Sequence, residues 1–393
     1  VANASKEINK DFALKFVIAL GLVSLFADMT YEGARSISGP YLAALGASAL
    51  VISSVSGLGE LIGYGVRLLS GLLTSKTNQY WLLVILGYIL NLFVIPLLAF
   101  CYDWRVAVVL LLLERLGKAI RSPAKDAMLS IAAGKVRQGF AFGLHEAMDQ
   151  TGAVVGPLMV ALIISLRLGY RVAFGFLAVP AVCAIICLLC AKHFFAEKIT
   201  LPDKSDQENF VPQKIFIVYM VASALVACAY FDFPLIAYHL IKHLNLQAGL
   251  IPVFYAAAMG IDALAAFILG SLFDKFGLKV TATVFFASAF FAPLILLGNA
   301  TAAFLGVVLW GLGLGAQDSI VKAAISKMVA AENRAYVFGL FGLVWGVAWF
   351  VGSVIIGLMY QVSLISATGF SVVLQLMAVP LFFWVSTRLK DTG

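Results

Sequence analysis

The sequence predicts an all-α membrane protein: twelve transmembrane helices in two pseudo-symmetric six-helix bundles, with both termini cytoplasmic. Three observations carry that prediction. Apolar runs long enough to cross a hydrocarbon layer of about 30 Å recur along the whole chain. An internal repeat divides it: Lys125-x11-Arg137 followed by Phe142-Gly143-Leu144 recurs as Lys322-x11-Arg334 followed by Phe338-Gly339-Leu340, with a further glycine in each copy at Gly156 and Gly352. Basic residues are crowded into alternate loops, which sets the orientation. Duplicated membrane halves can build a binding site at mid-membrane that faces either side in turn.

The first predicted span, 14–36, follows the polar start Val1–Lys10. It carries charges that the apolar core of a cleaved leader would not, so no cleavable signal peptide is expected. Asp28, Glu32 and Arg35 recur there at i, i+4 and i+7, hence on one face, with Tyr31 beside them. The second span, 41–72, repeats the spacing with Glu60, Tyr64 and Arg67. The third, 80–101, qualifies on length and apolarity. The fourth, 105–128, holds Glu114, Lys118 and Arg121 in one stripe with Arg115 alongside, and the fifth, 140–163, holds His145 and Asp149 on one face with Glu146 adjacent. The sixth, 171–192, carries Cys183, Cys187 and Cys190 on one face. They read as small packing residues, as do Cys101 and Cys228, because no His or carboxylate joins them to make a metal site.

The polar stretch His193–Lys214 interrupts the apolar series at mid-chain. It divides the chain into an N-terminal six-helix bundle (1–192), a cytoplasmic linker (193–213) and a C-terminal six-helix bundle (214–393). Other loops are short, so successive helices are antiparallel neighbours. The remaining spans are 214–238, 249–273, 279–298, 302–327, 334–359 and 364–387. This half is less charged; Asp232, Asp262 and Asp318 stand out, with Gln317 and Lys322. Asp318 and Lys322 are one turn apart and can pair. Trp310, Trp345, Trp349, Tyr230, Tyr255 and Phe338 are aromatic candidates for a cavity wall, against the alternative that each tryptophan faces lipid. Trp345 is favoured because the repeat aligns its neighbourhood with that of Asp149.

Hydrophobic residues make up 62% of the 393 and charged residues 12%, about half the usual charged share. The net charge of +7 reflects loop bias rather than nucleic-acid binding. With the N-terminus inside, the cytoplasmic segments hold Lys76, Lys125, Lys135, Arg137, Lys192, Lys198, Lys204, Lys275, Lys279, Lys327, Arg388 and Lys390 among others, and the opposite loops only Arg105, Arg167, Arg171 and Lys242. No soluble domain and no GxxxxGK[ST] phosphate loop is present, which argues against an ATP-hydrolysing module.

A charge at the bilayer centre costs at least ~2.5–3.5 kcal/mol. The structural alternative for each one is a buried pair that holds helices together, such as Asp28 with Arg35 or Glu60 with Arg67. Arg121 and Lys125 are placed to reach the interface. Taken together, however, Asp28, Glu32, Glu60, Glu114, Glu146 and Asp149 outnumber Arg35, Arg67, Arg115 and Lys118. An acid left without a partner must meet substrate or a proton, and such a carboxyl can load and release protons near neutral pH. Asp149, Glu146 or Glu32 is the expected proton carrier, with Asp28, His145 and Arg115 in the coupling group. Tyr31, Arg35, Glu60, Arg67, Glu114, Lys118, Gln317, Asp318 and Trp345 are the expected substrate-binding residues.

Three motifs bear on gating and family. Gly270-Ser-Leu-Phe-Asp274-Lys275-Phe-Gly277-Leu-Lys279 joins the eighth and ninth spans; an Asp at a helix end can latch across the half, and Gly277 permits a tight turn. Its counterpart, Gly71-Leu-Leu-Thr-Ser75-Lys76-Thr-Asn78, lacks the Asp and the second Gly. Gly143-x8-Gly152-x3-Gly156-Pro157 lays small residues along the fifth span, where helices can approach closely and Pro157 bends the chain. Leu111-x3-Arg115 places an arginine within the fourth span, with Ala119 four residues on.

These features resemble the major facilitator superfamily over nearly the whole chain. The loop at Gly270–Lys279 resembles the family's G-x3-D-[RK]-x-G-x-[RK] motif, and the fifth-span glycines resemble the pattern of its antiporter branch. Leu111-x3-Arg115 is a partial match to the family's intramembrane arginine motif, with Ala119 where a glycine is expected. Ala27-Asp28-Met-Thr-Tyr-Glu32-Gly33-Ala-Arg35 and Arg115–Asp126 are similar to a widespread bacterial group within it. The resemblance implies alternating access, a monomer and no cofactor or metal, not an enzyme. It implies a multi-pass inner-membrane transporter whose partners are a small-molecule substrate, protons and the lipid bilayer, with no nucleic acid. The leading expectation is proton antiport that exports a drug or metabolite. The second is import or exchange of a small charged metabolite such as an organic acid, amino acid or chelator. A membrane sensor or lipid-modifying enzyme is a third class, disfavoured because no catalytic dyad or metal cluster shares a face.

Overall fold

The computed structural model describes residues 10–196 and 214–391, apart from 78, 137, 322, 323, 326, 327 and 330–333. The described residues form helices and turns, with no strand. Helices α1 (Lys10–Ala44), α2 (Ala49–Thr77), α3 (Tyr80–Leu97), α4 (Trp104–Lys135) and α5 (Gln138–Ser165) supply the first five spans. α6 (Gly169–Phe176) and α7 (Ala178–Phe195) stack as the sixth, and α8 (Lys214–Ala229) and α9 (Phe233–Lys242) as the seventh. α10 (Leu250–Phe276) is the eighth; α11 (Lys279–Ser288) and α12 (Phe291–Leu296) make the ninth. α13 (Ala300–Ala316) and a π turn at Gln317–Val321 make the tenth, followed by α14 (Arg334–Val362) and α15 (Leu364–Asp391).

Among the described residues, 11 helical elements are long and apolar enough to cross a membrane. The remaining span, α4, is 32 residues long. It falls short on composition because Glu114, Arg115, Lys118, Arg121, Lys125 and Asp126 lie along it. The first turn comes later than its predicted place at 37–40. α1 continues through Pro40 and the chain reverses at Gly46, whose φ of +97° suits a residue without a Cβ.

Three spans predicted as continuous are broken, the sixth, seventh and ninth. Pro180, Pro234 and Pro293 each lack the N–H that would bond the carbonyl four residues back, at Phe176, Tyr230 and Ala289. In the seventh span the carbonyls on either side of Tyr230 are satisfied by side chains. Trp310 Nε1 donates to Phe231 O at 2.8 Å, and Ser371 Oγ donates to Ala229 O at 2.8 Å. Non-helical backbone at membrane depth persists only where protein groups pair it in this way. Trp310→Phe therefore strands a buried carbonyl. We expect it to lower stability by about 1–3 kcal/mol, read as a fall in the thermal unfolding midpoint.

Two apolar cores form, one from residues of α1–α7 and one largely from residues of α8–α15. Between the halves, α2 packs along α14, α5 along α10 and α1 against α9. The α2–α14 seam runs end to end, from Leu50 beside Gly357 to Leu68 beside Gly339. At the end away from the termini a Cβ on Gly39 would lie 1.9 Å from Pro234 O, and one on Gly249 2.3 Å from Ser165 Oγ. The linker 197–213 lies outside the described residues, as do Arg137, Lys322 and Asn78.

Candidate functional site

α1 organises the polar interior. Asp28, Tyr31, Glu32 and Arg35 share one face, and the first three are buried. Each reaches a different neighbour.

Arg35 lies in a chain of charges that crosses the whole molecule. Its Nη2 is 3.0 Å from Glu60 Oε1 on α2 and 3.5 Å from Asp232 Oδ1 at the seventh-span break. Arg115 Nη1 of α4 is 3.4 Å from the same Glu60 oxygen, and its Nε is 3.3 Å from Glu114 Oε2. Asn91 Nδ2 of α3 donates to Glu114 Oε1 at 2.7 Å. On the far side, Trp349 Nε1 and Ser353 Oγ of α14 both donate to Asp232 Oδ2 at 3.0 Å. The network therefore links α3, α4, α2 and α1 of one half to the broken seventh span and α14 of the other. A cavity opens beside it. Tyr31, Arg35, Ser38, Ser56, Glu114 and Arg115 line its polar wall, and Leu42, Val55, Ile95, Leu111 and Pro234 its apolar wall.

A second cluster lies deeper on α1, one to two turns toward the termini. The Asp149 carboxylate of α5 faces Asp28 closely enough for the two to interact, and Asp28 Oδ1 is buried without a hydrogen-bond partner. Two carboxyls in such contact repel unless they share a proton. Lys118 Nζ sits 3.9 Å from the centre of the Tyr31 ring, and the Arg121 guanidinium 4.0 Å from that of Tyr88. His145 Nε2 hydrogen-bonds Ser24 Oγ at 3.0 Å, and Lys125 Nζ donates to the same hydroxyl at 3.4 Å. Between the clusters, Tyr255 Oη of α10 donates to Glu32 Oε2, a second link across the halves.

The charge network thus joins six spans, and the cavity beside it is walled by α1–α4 of the first half and closed on one side by Pro234 of the second. The Major Facilitator Superfamily model matches residues 20–353, most of the chain. The chain belongs to the Major Facilitator Superfamily. It is 36% identical over 379 residues to an uncharacterized protein of Mycobacterium tuberculosis, covering 94% of this chain and 93% of that one. An uncharacterized MFS-type transporter of Methanocaldococcus jannaschii is 28% identical over 377 residues, covering 92% of each chain. Among solved structures, the nucleoside transporter NupG superposes with a TM-score of 0.75 at 13% identity, over 93% of this chain and 100% of that one. An inward-facing bacterial homolog of the human lysosomal transporter Spinster gives 0.71 at 12% identity over 99% of each chain. At those identities the structures report the fold alone. This superfamily member is thus a secondary transporter of small substrates and a multi-pass inner-membrane protein, not an enzyme.

The superfamily fold brings together Asp28, Tyr31, Glu32, Arg35, Glu60, Glu114, Arg115, Lys118, His145 and Asp149. Other expected residues sit elsewhere. Glu146 and Arg67 are exposed; Glu146 accepts from Gln150 and Arg67 lies 5.6 Å from its own helix's Tyr64 ring. One position along a helix turns a side chain about 100°, so His145 points inward and Glu146 does not. Asp318 is exposed, and Gln317, in the π turn, is buried with its Nε2 lacking a hydrogen-bond partner. Trp345 is buried in the second core between Phe341 and Trp349, not on the cavity wall. Trp310 and Trp349 are buried too, so none of the three faces lipid.

Two local pairings are replaced by longer ones. Arg35 pairs with Glu60 and Asp232 rather than Asp28, and Glu60 pairs with Arg35 and Arg115 rather than Arg67. On one helix i and i+7 are two turns apart, farther than a partner on a packed neighbour. Arg121, expected at an interface, is 3% exposed against Tyr88. Asn91, Tyr88 and Ser24 were missed, since a lone polar residue in an apolar span has no periodic signal.

The glycines expected to act in gating divide. A Cβ on Gly152 would lie 2.2 Å from Leu25 O, and one on Gly156 2.3 Å from Met29 O, so both seat α5 directly on α1. Pro157 is buried in that seam. Gly143 and Gly270 have open space where a Cβ would stand. Gly277 ends α10 at φ 64°, ψ −152°, a conformation other residues avoid. We expect Gly277→Ala to cost about 1–3 kcal/mol, visible as lower thermal stability. Lys275 is exposed beside Phe276, and the Asp274 and Ser75 side chains lie outside the described residues.

Proposed function

We propose that this carrier is proton-coupled, with Asp28 and Asp149 holding the proton and the cavity beside Arg35 and Arg115 holding the substrate. The contact between the two carboxyls carries the reading. With both ionised the pair repels, and one proton makes it a hydrogen bond. The proton load thus changes how α5 seats on α1, the helix that also bears Arg35. Lys118, between the two clusters, gives each an electrostatic view of the other.

Antiport draws on the fifth-span glycines, which hold Asp149 against Asp28. In that mode proton and substrate compete, and a drug or metabolite leaves as protons enter. Import or exchange of a charged metabolite draws on the two guanidiniums at the cavity wall. Cytoplasmic termini and a monomer complete the proposal. The test is counterflow and pH-gradient-driven flux in proteoliposomes. A gradient that drives no net flux of any solute the protein exchanges would refute coupling. The polarity of an effective gradient separates antiport from cotransport.

A further inference from the structure

We infer that the cavity beside Arg35 and Arg115 binds a small solute with one carboxylate group on an apolar body. The inference rests on the proton-coupled reading above and names the substrate class of the same site.

Two guanidiniums line the cavity, and their donors are poorly used. Both lean on one oxygen, Glu60 Oε1, at 3.0 and 3.4 Å, and the remaining ion contacts of the pair are 3.3 and 3.5 Å. Well-formed guanidinium–carboxylate bonds are about 2.7–2.9 Å and often two-pronged. Arg35 Nε is buried without any hydrogen-bond partner. Because Nε is buried and Nη2 leans on Glu60 and Asp232, an arriving carboxylate takes the two together only by turning the guanidinium toward the cavity and displacing the long Asp232 contact, a two-pronged geometry a neutral group cannot match.

The acids are less available than the bases. Neither Glu60 nor Asp232 lines the cavity. Asp232 Oδ2 is already held by Trp349 and Ser353, and Glu114, which does line it, is held by Asn91 at 2.7 Å. The charged groups on the wall itself are Arg35, Arg115 and Glu114, two bases to one acid. Away from the arginines the wall is mainly Leu42, Val55, Ile95 and Leu111, with hydroxyls at Tyr31, Ser38 and Ser56, of which the two serines already donate to carbonyls of their own helices. A solute with several hydroxyls would leave them unpaired there, which costs affinity. One anionic head and an apolar body match both ends.

Arg35, Arg115 and Lys118 stand against Glu60, Glu114, Asp232 and Glu32, so an added anion makes the site more negative. Binding then strengthens when a proton is held nearby. The Asp28–Asp149 pair is close enough to supply it; it faces Lys118, Arg121 and Lys125 of α4, Tyr31 and Glu32 of α1, and His145 of α5.

The test is thermal shift and calorimetry on the full purified chain. The probes are benzoate and hexanoate, benzamide and hexanamide as uncharged isosteres, benzylamine as a cation, and inorganic phosphate. Stabilisation by the carboxylates alone is expected, with the benzoate Kd raised about tenfold or more in Arg115→Gln. Equal or stronger stabilisation by the amides, the amine or phosphate would overturn the class, as would no response to any probe. If Arg115→Gln does not fold, the probe panel on the native protein still decides. Tighter carboxylate binding at pH 5.5 than at pH 8 would add coupling in the cotransport sense, and tighter binding at pH 8 would add coupling in the antiport sense and overturn the proton-assisted binding argued here. Carboxylate binding that ignores pH would remove the coupled reading and leave the substrate class standing.

Discussion

Asp149→Asn lowers pH-gradient-driven flux by roughly a hundredfold or more while counterflow of substrate persists. The expectation follows from the two carboxyls alone. Asn keeps the shape and can donate to Asp28, so the α1–α5 seam closes as it does in the protonated protein. What it cannot do is lose the proton. A carrier locked in its loaded form exchanges substrate for substrate but does no work with a gradient. Asp28→Asn should give the same split. Glu146→Gln is the contrast, since Glu146 is exposed and its neighbour on the helix, His145, takes the inward position. It should keep most of the driven flux. Gradient-driven flux surviving in both aspartate variants would remove the pair from the mechanism. Expression level and unfolding midpoint, measured alongside, separate this outcome from misfolding.

Gly39→Val should open the end of the carrier away from the termini. Gly39 meets the Pro234 carbonyl so closely that a Cβ would stand 1.9 Å from it. That contact is backbone on one side and leaves no flexible atom to yield, so α1 and α9 must separate. Overpacking of this kind costs typically 1–3 kcal/mol, enough to shift a two-state equilibrium about tenfold. The cost falls only on the conformation in which the two helices touch. Ser38, buried at 4% exposure on the cavity wall, reports it. In purified protein carrying Ser38→Cys, maleimide labelling should speed up about tenfold when Gly39→Val is added. Transport should fall, since one half of the cycle is disfavoured. An unchanged labelling rate would mean that this contact does not close the path.

How far the residues could be read in advance varied with the range of the interaction. The α1 face is helical periodicity, and Asp28, Tyr31, Glu32 and Arg35 do share it. The pairing of that face is not periodic. It depends on Glu60, Asp232 and Tyr255, which lie on other elements, and the nearest opposite charge along the chain was the wrong partner for both Arg35 and Glu60. The fifth-span glycines read correctly as close-approach positions at Gly152 and Gly156, because small residues at that spacing admit another backbone. At Gly143 the same pattern has no helix against it. The aromatic residues failed as cavity markers for a related reason. A tryptophan's size demands burial, but which cavity or core receives it is a matter of packing.

Taken by itself, the sequence determined that this chain is a duplicated bundle of membrane helices with too many charges in its interior to be inert. Hydropathy, period and the cost of burying charge act within a few turns of one helix, so they are written locally. Only the tertiary structure decided that Arg35 bridges to the other half, that Asp28 meets Asp149, and that the seventh span breaks where Asp232 is needed. Those outcomes depend on which helices pack together, and a side chain in a medium without water takes its partner from whatever helix stands beside it.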